Sequence, residues 1–155
     1  MANELKVVDQ NRKQYIVVKI GNEQYGSDIG YVNNIVRMQK ITRVPKAQFY
    51  FNGVINLRGE IVPVMSIRKK MGLPEDTFTN SSRIIILKIE QQGSLGIIVD
   101  EVREVVLLGN DEIDQNVHAA KNEKNTKNSF ISGVGKSGEN LISLLDINCI
   151  IDETA

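Results

Sequence analysis

The chain has 155 residues, 41% of them hydrophobic, and its 19 basic side chains balance 19 acidic ones. That length allows one compact domain with a real core, or two small barrels sharing one, and the zero net charge argues against a nucleic-acid binder, which needs a basic face for phosphates. The lone cysteine, Cys149, excludes an internal disulfide framework and suits a reducing cytosol, and no apolar run is long enough to span a membrane.

Residues 1–12 are polar, without the apolar stretch of a secretory signal, and are expected to be flexible. The folded domain is expected over 13–151, in halves 13–80 and 81–151. Tyr15 to Ile20 reads as a strand that turns at Gly21-Asn22 into Glu23 to Ser27. Asp28 is placed to cap a short helix, with Ile29, Val32, Ile35 and Val36 on one face at helical spacing. Strands are predicted at Phe49 to Leu57 and Glu60 to Met65. Ser66 then caps a helix over Ile67 to Met71, which Gly72 and Pro74 stop. The polar stretch Pro74 to Ser82 reads as the connector between halves.

The second half opens with Arg83 to Ile89, an apolar run that fits a strand buried on both faces. Leu95 to Val99 returns, and Val102 to Leu108 is a further strand. Gly109 to Asn128 reads as a long surface loop anchored by Ile113 and Val117. Asp146 is predicted to cap a terminal helix with Ile147, Ile150 and Ile151 inward, before a frayed 152–155. Short strands with Gly-rich turns make the fold mainly β, as one or two small barrels.

The chain also repeats itself. Gly53-Val54-Ile55-Asn56-Leu57-Arg58-Gly59-Glu60-Ile61-Val62-Pro63-Val64 matches, eighty positions on, Gly133-Val134 and Leu141 to Leu145 around a Gly135-to-Gly138 turn. An offset of seventy aligns Tyr25-Gly26 with Leu95-Gly96, Val32 with Val102, and Ile35-Val36 with Val105-Val106. The pattern predicts a duplicated unit with Arg58 and Gly138 at corresponding turns.

Enzymatic signals are weak. His118 is the only histidine, which excludes paired-histidine metal sites, and it falls in the polar loop. Cys149, among isoleucines, is expected to act as a small core hydrophobe. Gly135-Lys136-Ser137 matches the end of a phosphate-binding loop, but the required earlier glycine is Phe130 and a strand follows in place of a helix. Asp28 and Asp100 read as capping or turn residues. Tyr15, Tyr25, Tyr31 and Tyr50 lack interleaved basic residues and read as packing side chains. No cofactor or metal is expected. Arg58, at a hairpin tip beside Gly59, presents a planar five-donor group on a rigid support, which suits protein recognition; a plain solvated charge is the alternative.

Tyr25-Gly26-x-Asp28-Ile29 with Val32-x-x-Ile35, then Ile41-Thr42-x-Val44-Pro45, the Gly53 to Val64 motif, Leu95 to Asp100 with Val102, Gly133-Val134 and Leu144-Leu145-Asp146 resemble the CheW-type chemotaxis coupling proteins in order and spacing, from about Tyr15 to Ile151. The resemblance implies two small SH3-like five-stranded barrels with some strand exchange around a shared core. It implies a cytoplasmic adaptor without catalytic activity, recruited to the inner face of the membrane through receptor arrays, and the length of the chain suits a stand-alone adaptor. The implied partners are the cytoplasmic hairpin tip of methyl-accepting receptors, bound in the groove between subdomains, and the regulatory domain of the histidine kinase CheA, bound on other barrel faces. Val32, Asn34, Ile35, Gly53, Arg58 and Gly59 are the implied partner-binding residues. A small-barrel oligonucleotide binder is the alternative function. Two positions depart from the family: Asn34 replaces a frequent glutamate, leaving Arg58 to bond Asn34 or a carboxylate such as Glu60, and Ser66 replaces a capping aspartate.

Overall fold

The computed structural model describes residues 12–75, 77–89, 93–114 and 130–151. The expectations for the chain ends and for the loop carrying Val117 and His118 lie outside them, as does the Ile151 side chain.

Strands β1 (Arg12–Ile20) and β2 (Glu23–Asp28) form a hairpin about Gly21-Asn22. The predicted helix after Asp28 is only a three-residue 3-10 turn, Ile29–Tyr31, closed by Asp28 Oδ1 accepting from the Gly30 amide at 2.9 Å. Val32–Arg37 is instead strand β3. β4 (Phe51–Leu57) and β5 (Glu60–Ser66) form the second hairpin. As predicted, Ser66 caps helix α1 (Ile67–Met71), its Oγ accepting from the Lys69 amide, and left-handed Gly72 ends it. β6 (Arg83–Ile89), β7 (Gly93–Val99) and β8 (Glu101–Gly109) follow. A short β9 (Ile113–Asp114) pairs Ile113 with Gly135 of β10 (Ile131–Ser137), so Ile113 does anchor the chain there. β11 (Asn140–Leu145) and helix α2 (Ile147–Ile151) complete the fold.

The strands form two sheets, ordered β3-β6-β7-β5-β4 and β8-β1-β2-β11-β10-β9. Each sheet takes strands from both halves of the sequence: hairpin β6-β7 is built into the sheet of β3, β4 and β5, and hairpin β1-β2 into that of β8, β10 and β11. The two sheets repeat each other in register. The parallel pair Val64↔Gly96 has its counterpart in Leu144↔Gly26, and the bulge between Phe51 and Gly53 recurs between Ile131 and Gly133. These are the offsets of eighty and seventy seen in the sequence.

Three cores result. Val62, Val64, Ile84, Ile86 and Ile98 fill the first barrel, while Val17, Leu108, Ile142 and Leu144 fill the second. The largest core, including Ile16, Val18, Tyr25, Met65, Ile85, Leu87, Ile97 and Ile150, cements the two together. β6 divides its side chains between them: Ile84 and Ile86 face one core, Ile85 and Leu87 the other, which is why its sequence has no polar face. Fully burying one such side chain stabilises by about 1.5–3 kcal/mol. In α2, Ile147 and Ile150 point inward at i, i+3 spacing, and Cys149 lies exposed on the opposite side. The expectation of a core thiol therefore fails: helical phase outranks the apolar neighbourhood.

Candidate partner-binding site on the first barrel

Arg58-Gly59 is the two-residue loop of the β4-β5 hairpin, flanked by the pair Leu57↔Glu60. Both central residues have positive φ, 56° at Arg58 and 90° at Gly59, as a type I′ turn requires. Asn56 Oδ1 accepts the Gly59 amide at 2.9 Å and fixes the turn. At the corresponding hairpin, Gly138 has φ 64° and the following Glu139 does not share the positive φ. The strained backbone at Arg58, unusual for a residue with a Cβ, holds an exposed guanidinium out from the barrel. No hydrogen bond or ion pair ties it down among the described residues.

Gly53 sits at the β4 bulge with φ 142°. A Cβ there would lie 2.1 Å from the Thr42 carbonyl oxygen. The closeness is required by a two-bond bridge, Thr42 N–H to Val54 O and Val54 N–H to Thr42 O, both 2.8 Å, which ties the chain after β3 to edge strand β4. Gly53 thus closes the barrel.

β3 presents the remaining three residues on two faces. Val32 pairs with Leu87 and Ile35 with Ile85, both partners belonging to the core between the barrels. Asn34 pairs with Ile86, which belongs to the first barrel's interior. The switch comes from a bulge between Val32 and Asn34. Val32 packs against the central core, and Ile35 is exposed. Asn34 Oδ1 is buried without a hydrogen-bond partner, so the expected bond from Arg58 to Asn34 is not made, nor is there a pair with Glu60.

Across the seam between barrels runs a polar clamp that sequence inspection missed. Arg68 of α1 pairs with Asp100 (Nη2 to Oδ2, 2.5 Å), and Asp100 Oδ2 also accepts the Gly21 amide at 2.8 Å. Asp100 follows β7 and Gly21 turns β1 into β2, so one carboxylate joins α1 to both exchanged hairpins. Nearby, Tyr25 donates to Glu23 Oε1 at 2.7 Å. Burial chiefly, then that hydrogen bond and the Glu23 charge, raise the Tyr25 phenol above its ordinary value, with Arg68 opposing.

The surface also carries a duplicated apolar pair: Ile61 and Leu141, eighty positions apart, are 60% and 63% exposed just beyond their hairpin turns. Alternation along β5 and β11 puts them on the outer face, a signal present in the sequence. No helix of the described residues is long and apolar enough to cross a membrane.

A family model described as CheW-like domain matches residues 14–155. The chain belongs to the CheW-like family. Among curated CheW-like proteins, it is 32% identical over 141 residues to the chemotaxis protein CheW of Bacillus subtilis strain 168, covering 91% of this chain and 88% of that protein. It is 29% identical over 151 residues to CheW of Thermotoga maritima, covering 96% and 95%. The crystal structure of the scaffolding protein TtCheW from Thermoanaerobacter tengcongensis superposes with a TM-score of 0.76 at 32% identity, covering 86% of this chain and 88% of that one. The CheW-like fold accounts for the mainly β architecture and the paired barrels.

Proposed function

We propose that this chain is a non-catalytic adaptor of chemotaxis signalling, coupling methyl-accepting receptors to the histidine kinase CheA within receptor arrays. The observation that carries this reading is the CheW-like match over residues 14–155, nearly the whole described fold. Within that fold, Arg58 presents a planar five-donor group from a rigid I′ turn, a form of presentation suited to recognition of a protein surface. Val32 and Ile35, on the face turned toward the inter-barrel core, supply apolar contact for a receptor tip. Asn34, on the opposite face of β3 beside Ile86, neighbours these contacts. Gly53 and Gly59 shape the backbone that carries the site. The adaptor works in the cytoplasm and reaches the membrane through its receptors.

The test is titration calorimetry against a receptor hairpin-tip fragment and, separately, the CheA regulatory domain, with a single-stranded oligonucleotide as a third arm. Binding to both proteins and not to the oligonucleotide is expected. Arg58→Ala should weaken receptor binding by about 1–3 kcal/mol while leaving the melting temperature nearly unchanged. Undiminished receptor binding in that variant removes Arg58 from the site, and oligonucleotide binding alone overturns the adaptor reading.

A further inference from the structure

Far from the Arg58 turn, a groove of about 700 Å³ opens on the first barrel, between the segment after β3, the start of β4, and α1 with the chain that follows it. Phe51, at its edge, is seven residues from Arg58 along β4, roughly 23 Å in an extended strand. Phe49 is 73% exposed and Phe78 half exposed, and both line the groove. Phe49 is held there by its neighbours. Gln48 to Phe51 form a turn, the Phe51 amide donating to the Gln48 carbonyl at 3.0 Å. Tyr50 is buried in the central core and its carbonyl accepts the Ser66 amide at 2.7 Å, while Phe49 beside it in the turn faces outward. Three cations, Arg43, Lys46 and Lys69, and one carboxylate, Glu75, complete the charged lining among the described residues.

Lys46 takes a left-handed backbone, φ 66°, within the Pro45-Lys46 turn, which positions it on the groove's rim. Asn52, in the same lining, keeps Oδ1 buried without a hydrogen-bond partner, although it accepts readily from an N–H. An otherwise neutral chain therefore concentrates positive charge around an apolar floor with exposed aromatic rings.

We infer that this groove docks an acidic peptide segment of a partner protein, bulky apolar side chains seated between Phe49 and Phe78 and carboxylates meeting Arg43, Lys46 and Lys69. Apolar anchors flanked by complementary charge are how amphipathic segments occupy grooves. A nucleic acid fits less well. Phe49 and Phe78 could stack on bases, but three cations beside a carboxylate neutralise few phosphates, and phosphate neutralisation dominates nucleic-acid affinity.

The probe is a fluorescein-labelled peptide of about 14 residues, long enough for roughly 20 Å of helix, with Leu and Phe at helical spacing among Glu and Asp. A second peptide replaces the acidic residues by Lys, and a labelled single-stranded oligonucleotide is the third ligand. With the full chain, fluorescence anisotropy should report binding of the acidic peptide alone, weakening as salt rises. Phe49→Ala, and separately Lys46→Glu with Lys69→Glu, should each weaken it by about tenfold or more. Arg58→Ala should leave it unchanged, which separates this site from the receptor reading. Circular dichroism melting establishes that each variant is folded, and Phe49→Leu, which keeps an apolar side chain, should restore part of the affinity. Equal binding of both peptides, tighter binding of the oligonucleotide, no binding of the acidic peptide, or indifference of folded Phe49 and Lys46/Lys69 variants would overturn the assignment.

Discussion

Adding a single methyl group at Gly53 should open the first barrel. The new Cβ would meet the Thr42 carbonyl oxygen at 2.1 Å and its carbon at 2.7 Å. Ordinary contact begins near 3.4 Å, so the Thr42 segment must retreat by about 1.3 Å or β4 must twist away. Either movement stretches the two 2.8 Å hydrogen bonds of the Thr42–Val54 bridge past useful length. Each contributes about 0.5–1.5 kcal/mol, and the positive φ adds about 1–3 kcal/mol of backbone strain. Gly53→Ala should therefore cost between about 2 and 6 kcal/mol in urea unfolding, read as a lower midpoint at similar slope. Gly59→Ala is the control. Its φ is 90°, but nothing lies within 4 Å of the added Cβ, so only the backbone strain applies. A loss at Gly53 below about 1 kcal/mol, or no larger than at Gly59, would refute the close-approach reasoning.

Leu87 is fully buried between the barrels, so Leu87→Ala should cost about 2–5 kcal/mol in the same assay; less than about half a kcal/mol would make β6 peripheral. Arg68→Ala removes the charged partner of Asp100 at the seam and should cost about 1.5–3 kcal/mol, with Asp100→Ala giving a non-additive loss in a double-mutant cycle. Tyr25 holds its proton more tightly folded than unfolded, so its stabilisation is complete below pH 10.0 and is lost as pH rises through the higher folded-state value. Stability measured from neutral to strongly alkaline pH should fall with a slope of up to about 1.4 kcal/mol per pH unit from this group, and Tyr25→Phe should remove that part of the slope.

Most strands were legible because their alternation and turn residues agree: Gly21-Asn22, Arg58-Gly59 and Gly138 all turn hairpins where the sequence places them. β3 was not. Val32, Ile35 and Val36 imitate a helical face because a bulge follows Val32, and one extra residue turns a spacing of two into three. The same bulge sends Asn34 inward, which explains the absent bond to Arg58. Cys149 was misjudged from its neighbours when its position on the helix decides exposure. The internal repeat identifies equivalent hairpins but not the strands each joins, since the exchanged partners are far apart in sequence, as in Val64↔Gly96, Val32↔Leu87 and Tyr25↔Ser143; the exchange entered only through family resemblance. The Phe49 groove was not read from the sequence: the strand predicted from Phe49 begins only at Phe51, and the turn before it is what leaves Phe49 outside while Tyr50 is buried.

Exchange of the β1-β2 and β6-β7 hairpins also orders events in time. The first hairpin is made well before its sheet partners β8, β10 and β11. Residues 12–28 must wait, with Val17 and Val18 uncovered, until β11 has been made. Such long-range pairing is slow to form and leaves apolar edges open to aggregation meanwhile. A fragment ending before β6 would lack the hairpin that walls its own barrel, so neither half of this gene product is a module that can be borrowed, truncated or fused on its own.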